Sequence, residues 1–301
     1  MCKSLFFSFL ITALFNSCNS SSAEKLTDLN TQVWIHGSEN CDTNTDPSIQ
    51  VVQYNANTWI LRQNKCLNYE APFMFLFIGQ EKTLLIDTGA TKEAESFPLY
   101  NTVNKIIQNW QNHNNTTVEL IVAHTHGHGD HFAADEQFQN KPNTTVIGLK
   151  QTDVSSFFNI KDWPNEQVIF NLGNRELNII PIPGHQKASI AIYDPETQLL
   201  LTGDTVYPGR LYIEDWQVFK QSIKTLVEFT KINSVSYILG NHIEMTTAPG
   251  VDYPIGTKYH PEEQTLPLKV SDLVELHTTL ETLGDTPTRK ALNKLIIFPV
   301  N

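Results

Sequence analysis

Hydrophobic positions in this chain fall into short runs that alternate with longer stretches of helical spacing. Residues 58–62, 73–78 and 83–87 are rich in β-branched and aromatic side chains and are broken by turn residues such as Gly79 and Gln80, which predicts three early strands. Residues 97–110 place apolar side chains at 99, 103, 106, 107 and 110, one face of an amphipathic helix. A fully apolar strand over 119–123 then runs straight into a cluster of histidines. Further strands are predicted over 144–148, 168–170, 177–181, 189–194, 199–202 and 235–239. Between them lie a short helix over 151–158 and longer ones over 216–231 and 270–283, the last stopped by Gly284. The stretch 246–267 carries Pro249, Gly250, Pro254, Gly256, Pro261 and Pro267 and no periodicity, so it is expected to be a long ordered loop serving as a lid or an edge. There is no internal repeat. Strands interleaved with helices along the whole body predict one α/β domain, with two sheets covered by helices.

Composition narrows the field. With 40% hydrophobic and 18% charged residues over 301 positions, the chain can bury a core. A formal charge of −11 repels phosphate backbones and argues against a nucleic-acid partner, leaving a small molecule as the expected substrate. No apolar run reaches the eighteen or so residues that span a bilayer. Residues 5–15 form a shorter apolar run behind Lys3, followed by small and polar residues, the layout of an export signal over residues 1–23. Cys18 sits where a bacterial lipoprotein carries its lipidated cysteine; ordinary cleavage near Ala23 is the alternative. The expectation is a mature domain over 24–301, either periplasmic or lipid-anchored at the cell envelope of a bacterium. Export leaves Cys41 and Cys66 as the cysteines of the folded body. In an oxidising compartment they are expected to bridge and close a loop of about 25 residues, worth about 3 kcal/mol; two buried free thiols are the other reading.

The chemistry concentrates in Ala123-His124-Thr125-His126-Gly127-His128-Gly129-Asp130-His131. Four imidazoles and a carboxylate in eight residues suit a borderline metal such as zinc, the carboxylate helping to hold a cation together with a water. Gly127 and Gly129 are expected to let the backbone turn tightly, so that neighbouring side chains converge. The segment leaves a strand, which would set these groups at the C-terminal rim of a sheet, where open α/β sheets place their sites.

The run His126-x-His128-x-Asp130-His131 resembles the HxHxDH signature of the metallo-β-lactamase superfamily. Asp87-Thr88-Gly89 resembles that family's early aspartate turn, and Pro183-Gly184-His185, Thr202-Gly203-Asp204-Thr205 and Gly240-Asn241-His242 resemble its later ligand motifs. The resemblance covers about residues 51–245 and implies a four-layer αβ/βα sandwich with a dinuclear zinc site in the cleft; iron or manganese are alternative metals. It further implies that His126, His128 and His185 hold one metal and that Asp130, His131 and His242 hold the other, with Asp204 bridging. Asp87 is expected to orient a ligand histidine. His124 is expected to make a supporting hydrogen bond or to bind substrate, while Tyr207, Tyr259 and His260 are candidates to line the cleft.

The implied activity is hydrolysis by metal-bound hydroxide, with Asp130 and Asp204 also holding or relaying its proton. Asp204 stands where members resembling glyoxalase II and lactonases carry a bridging aspartate and true β-lactamases do not, which favours a small ester, thioester, lactone or amide over an antibiotic. The competing readings are a mononuclear iron dioxygenase of the persulfide type, a true β-lactamase, and a silent binding protein on the same scaffold.

Overall fold

The computed structural model describes residues 26–300. The expected export signal and Cys18 lie outside the described residues. A six-stranded sheet runs in the order β1 (Ile49–Asn55), β2 (Thr58–Gln63), β3 (Phe73–Ile78), β4 (Lys82–Ile86), β5 (Glu119–Ala123) and β6 (Thr144–Val146). A five-stranded sheet has the order β12-β10-β9-β8-β7, where β7 is Val168–Asn171, β8 Glu176–Pro181, β9 Ile190–Asp194, β10 Leu199–Gly203 and β12 Tyr237–Gly240. A small third sheet joins β11 (Arg210–Ile213) to β14 (Ile296–Pro299) and β13 (Lys290–Ala291). The helices are α1 (Leu99–Asn114), α2 (Gly129–Phe132), α3 (Gln151–Phe158), α4 (Trp216–Ile232) and α5 (Val270–Leu283).

The strands explain the layering. In β3 every residue is buried, and alternate side chains go to different cores: Phe73, Phe75 and Phe77 point between the two large sheets, while Met74, Leu76 and Ile78 pack with Leu99, Val103 and Ile107 of α1. β10 does the same on the other sheet, with Leu199 and Leu201 facing the inter-sheet core and Leu200 joining Phe219, Ile223 and Leu226 of α4 and Leu273 and Leu276 of α5. A strand covered on both faces must be apolar throughout, which is why these segments read as unbroken hydrophobic runs instead of alternating ones. The result is helix, sheet, sheet, helix: the four-layer α/β sandwich expected from the sequence.

Two pairs of parallel neighbours, β4 with β5 and β10 with β12, end on the same rim as their partners. Chain segments leaving Ile86, Ala123, Gly203 and Gly240 therefore emerge side by side. Cys41 and Cys66 stand as a disulfide pair with Cα atoms 5.1 Å apart. Among the described residues no helix is long and apolar enough to cross a membrane.

The stretch 246–267 is irregular, as expected, and is held as an edge rather than free as a lid. It makes isolated bridges Met245–Asp252 and Thr246–Glu263 within itself and Gly37–Tyr259 to the N-terminal segment. Arg62, fully buried on β2, grips Glu263 through both terminal guanidinium nitrogens. Because removing one partner leaves the other charge buried without compensation, Arg62→Ala should destabilise the fold by about 3–5 kcal/mol. A urea unfolding midpoint measured at neutral pH checks this, and a loss below about 1 kcal/mol would show that the pair does not pin the loop.

Candidate metal centre

His126 and His128 follow β5, and His185 follows β8 through Pro183 and Gly184. Gly184 sits at φ +128°, and a Cβ there would stand 2.4 Å from the Phe219 Cα of α4, so glycine lets helix and loop close on each other. The three imidazoles turn nitrogens toward one point: His126 Nε2 to His128 Nδ1 is 3.0 Å, and His185 Nε2 is 3.1 Å from each of them. Their outer nitrogens are tied back. His185 Nδ1 donates to the Tyr212 carbonyl at 2.6 Å, His126 Nδ1 lies 3.2 Å from Thr125 Oγ1, and His128 Nε2 faces Glu214 Oε1 at 3.5 Å. A tetrahedral ion about 2.0–2.1 Å from three nitrogens would hold them roughly 3.3 Å apart, so the triangle fits such a cation.

Beside it lies a second group. His131 Nε2 is 3.3 Å from Asp130 Oδ2 and 3.4 Å from Asp204 Oδ2, and His242 Nε2 is 3.2 Å from Asp130 Oδ2 and 3.5 Å from Asp204 Oδ1. Here too the outer nitrogens are engaged, His131 Nδ1 with Asp87 at 3.1 Å and His242 Nδ1 with the Glu70 carbonyl at 2.9 Å. Asp204 also reaches the first group, its Oδ2 standing 4.0 Å from His126 Nε2 and 3.9 Å from His185 Nε2. Asp204 Oδ1 is buried with no hydrogen-bond donor, a state that a carboxylate oxygen tolerates beside a cation. All seven residues singled out from the sequence thus meet in two adjoining groups.

Residues 70–237, more than half of the chain, match the family model described as the metallo-beta-lactamase superfamily. The chain belongs to this superfamily. A hydroxyacylglutathione hydrolase of Chelativorans sp. (strain BNC1) is 32% identical over 107 residues, which cover 35% of this chain and 42% of that protein. The acyl-coenzyme A thioesterase MBLAC2 of Bos taurus is 24% identical over 204 residues, 56% of this chain and 72% of that protein. The chain thus spans less than half the length of the first relative and most of the second. Among solved structures, the DIM-1 metallo-beta-lactamase aligns with a TM-score of 0.51 at 12% identity, covering 80% of this chain and all of that one, a likeness of fold alone.

Within this superfamily member the remaining candidates sort differently from expectation. Asp87 lies where a supporting residue should. Fully buried and held at φ +67°, it accepts from the Thr125 amide, the Thr125 hydroxyl, Asn241 Nδ2 and His131 Nδ1. His124 makes its supporting hydrogen bond to Asp135 at 2.9 Å and is buried. Three expectations need correction. Tyr207 does not line the cleft: it is buried behind His242, ring centroids 5.7 Å apart, and its hydroxyl turns away to Arg210 and Glu244. Tyr259 packs against His36, and His260 stacks flat on Tyr253 at 3.9 Å, both on the pinned loop. Gly127 and Gly129 have no left-handed φ; the tight turn is helix α2 itself, and a Cβ on Gly127 would meet the Leu149 carbonyl closely, at 3.2 Å. What the sequence reading missed are the groups behind the histidines, namely Glu214, Asn241 and the carbonyls of Glu70 and Tyr212. Asn241 had a signal in its place beside His242, whereas a backbone carbonyl carries none.

The two groups differ in charge. Burial, reinforced by the neighbouring imidazoles, holds His126 well below the usual histidine range, and burial lowers His185 too, so these two ligands of the first group offer neutral nitrogen donors. In the second, burial would raise the carboxyls, yet the adjacent histidines outweigh it, drawing Asp130 far down and Asp204 to about 2. Burial likewise opposes the charged form of His242, but Asp204 and Asp130 raise it to about 9. A folded-state value above the ordinary one means that the His242 proton stabilises the metal-free fold at pH 6.5 and that this stability is lost as pH rises through about 9. Metal-free protein should therefore show a lower urea midpoint at pH 9.5 than at pH 6.5; an equal or higher midpoint would show that His242 is not held protonated by the carboxylates.

Proposed function

We propose that this protein is an exported hydrolase of small acyl thioesters or esters that works with two zinc ions. The observation that carries the reading is Asp204, whose carboxylate stands between a triad of imidazoles and a group of two imidazoles and a carboxylate. His126, His128 and His185 would hold one ion and Asp130, His131 and His242 the other, with Asp204 shared, each set leaving room for water or substrate. Bound there, such ions activate water near neutral pH and polarise an acyl carbonyl.

The chain's own groups do the rest. Asp87, Glu214 and the Glu70 and Tyr212 carbonyls fix the tautomers of four histidines, so that their lone pairs face inward. Asp130, whose side chain keeps 24% of its exposure, is placed to take a proton from an attacking water on its carboxylate and pass it to solvent. All five clustered imidazoles have their outer nitrogens engaged, which leaves none as an acid for an amine leaving group. A thiol, with an ordinary pKa of about 8.5, leaves without such help, which favours thioesters over amides. The names of the two relatives, one a hydroxyacylglutathione hydrolase and one an acyl-coenzyme A thioesterase, point the same way. Export rests on the residues 5–15 segment and agrees with a paired Cys41 and Cys66, which persist in oxidising compartments.

A panel of chromogenic thioesters, esters, lactones, β-lactams and phosphodiesters, run with and without chelator, tests the reading. Thioester or ester turnover that disappears with chelator is expected, with about two zinc ions per chain by metal analysis. One iron per chain would turn the assignment toward an oxygenase. His128→Ala should lose metal and turnover together, and normal turnover in that variant refutes the mechanism. Asp204→Ser should release one ion more readily than the other; equal retention of both removes the bridge.

A further inference from the structure

A cavity of about 650 Å³ lies beside the loop that carries His185. Its wall includes Gly184 and Gln186, the neighbours of His185, and Glu214, which faces His128. Its apolar lining, Trp163, Pro183, Val218 and Val300, comes from four separate parts of the chain, with Gln151 as a further polar residue of the wall. The volume is within the range of roughly 300–1,000 Å³ that small-molecule sites occupy. The charges at its edge are the carboxylates of Glu214 and Asp215 with the ammonium of Lys187, which is exposed. Asp215 is already engaged, capping α4 through the Val218 amide at 3.1 Å.

We infer that this cavity seats the acyl chain of the substrate, a neutral hydrocarbon chain of medium length, with the scissile carbonyl at the clustered histidines and the leaving group outside. This rests on the acyl-hydrolase reading and adds which half of the substrate the protein selects. Charge decides the orientation. Glutathione and coenzyme A both carry net negative charge, and a pocket edged by two carboxylates and one ammonium disfavours them, whereas its apolar walls gain from every methylene that leaves water. The area buried per methylene corresponds to a gain of roughly threefold in kcat/KM for each carbon added until the cavity is full.

The experiment is a series of N-acetylcysteamine thioesters from acetyl to decanoyl with the metal-loaded protein. Rising kcat/KM followed by a plateau is expected. Val218→Trp, on the first turn of α4, fills the cavity and should cut decanoyl turnover at least tenfold while leaving acetyl turnover within twofold. Trp163→Ala should raise KM for the long chains and leave kcat for acetyl unchanged. A flat chain-length profile, or equal loss for acetyl and decanoyl in Val218→Trp, overturns the acyl assignment and leaves the hydrolase reading standing. Should no thioester or ester be turned over, the hydrolase reading fails, and calorimetry with 1-octanol decides the cavity alone. Saturable binding to the unaltered protein that is lost in Val218→Trp supports an alkyl-chain site, and absence of binding removes it.

Discussion

Three carboxylates, Asp87, Asp130 and Asp204, converge at one rim of the sandwich, and the rest of the site is arranged around the charge they bring there. A buried carboxylate is tolerable only when donors or positive charge surround it. Asp87 is satisfied by four hydrogen bonds from Thr125, Asn241 and His131. Asp130 and Asp204 have no comparable set of neutral donors; they lean on His131 and His242, which are drawn into the protonated form. A divalent cation answers the same demand while displacing those protons, so metal affinity at the second group must rise with pH. In the first triad burial already lowers His126 and His185, so a cation has no proton to displace from either of them. The two positions therefore differ in kind: one is preorganised by packing, the other by electrostatics.

The layering makes this convergence affordable. Strands such as β3 and β10 bury both faces and supply apolar contact to two cores at once, with 0% exposure from Phe73 through Phe77 and from Leu199 through Leu201. The parallel pairs β4 with β5 and β10 with β12 bring strand ends to one rim, where the chain must turn and where a short loop can project a ligand without carrying unsatisfied backbone into the core. Gly203, at φ +54° with Thr125 2.7 Å from where its Cβ would be, shows how tightly that rim is closed on the site.

Most of this was legible in the residues. Doubly covered strands announce themselves as unbroken apolar runs, and the amphipathic spacing of α1, α4 and α5 marks one buried face each. Of the seven clustered residues, His126, His128, Asp130 and His131 were legible from their density behind an apolar strand, whereas His185, Asp204 and His242 were legible through the resemblance of their motifs to those of the superfamily. β1, β11 and β14 were not recovered. β1 is an edge strand with polar Gln50 and Gln53, and β11 and β14 pair across a long stretch of chain that local pattern cannot register. Tyr207, Tyr259 and His260 show the converse failure. Their chemistry fits a cleft, but side-chain direction is set by packing partners, here His242, His36 and Tyr253, that sequence spacing does not reveal.

The supports behind the histidines also tie the site to distant parts of the fold. His185 is held by the carbonyl of Tyr212 on β11, a strand whose place depends on pairing with β14 near the end of the described chain. His242 is held by the carbonyl of Glu70, in a turn anchored by Lys65 Nζ on the Tyr69 carbonyl at 2.9 Å and by the pairing of Cys66 with Cys41. Each imidazole can point its lone pair inward only while its acceptor stays in place, since a loosened acceptor frees the ring to rotate or to change tautomer. The second group thus depends on a covalently stapled turn at the periphery, and the first on a strand pairing. Reducing conditions would act on His242 before they reached His126, His128 or His185, because the cross-link constrains the turn that carries Glu70 and no part of the triad.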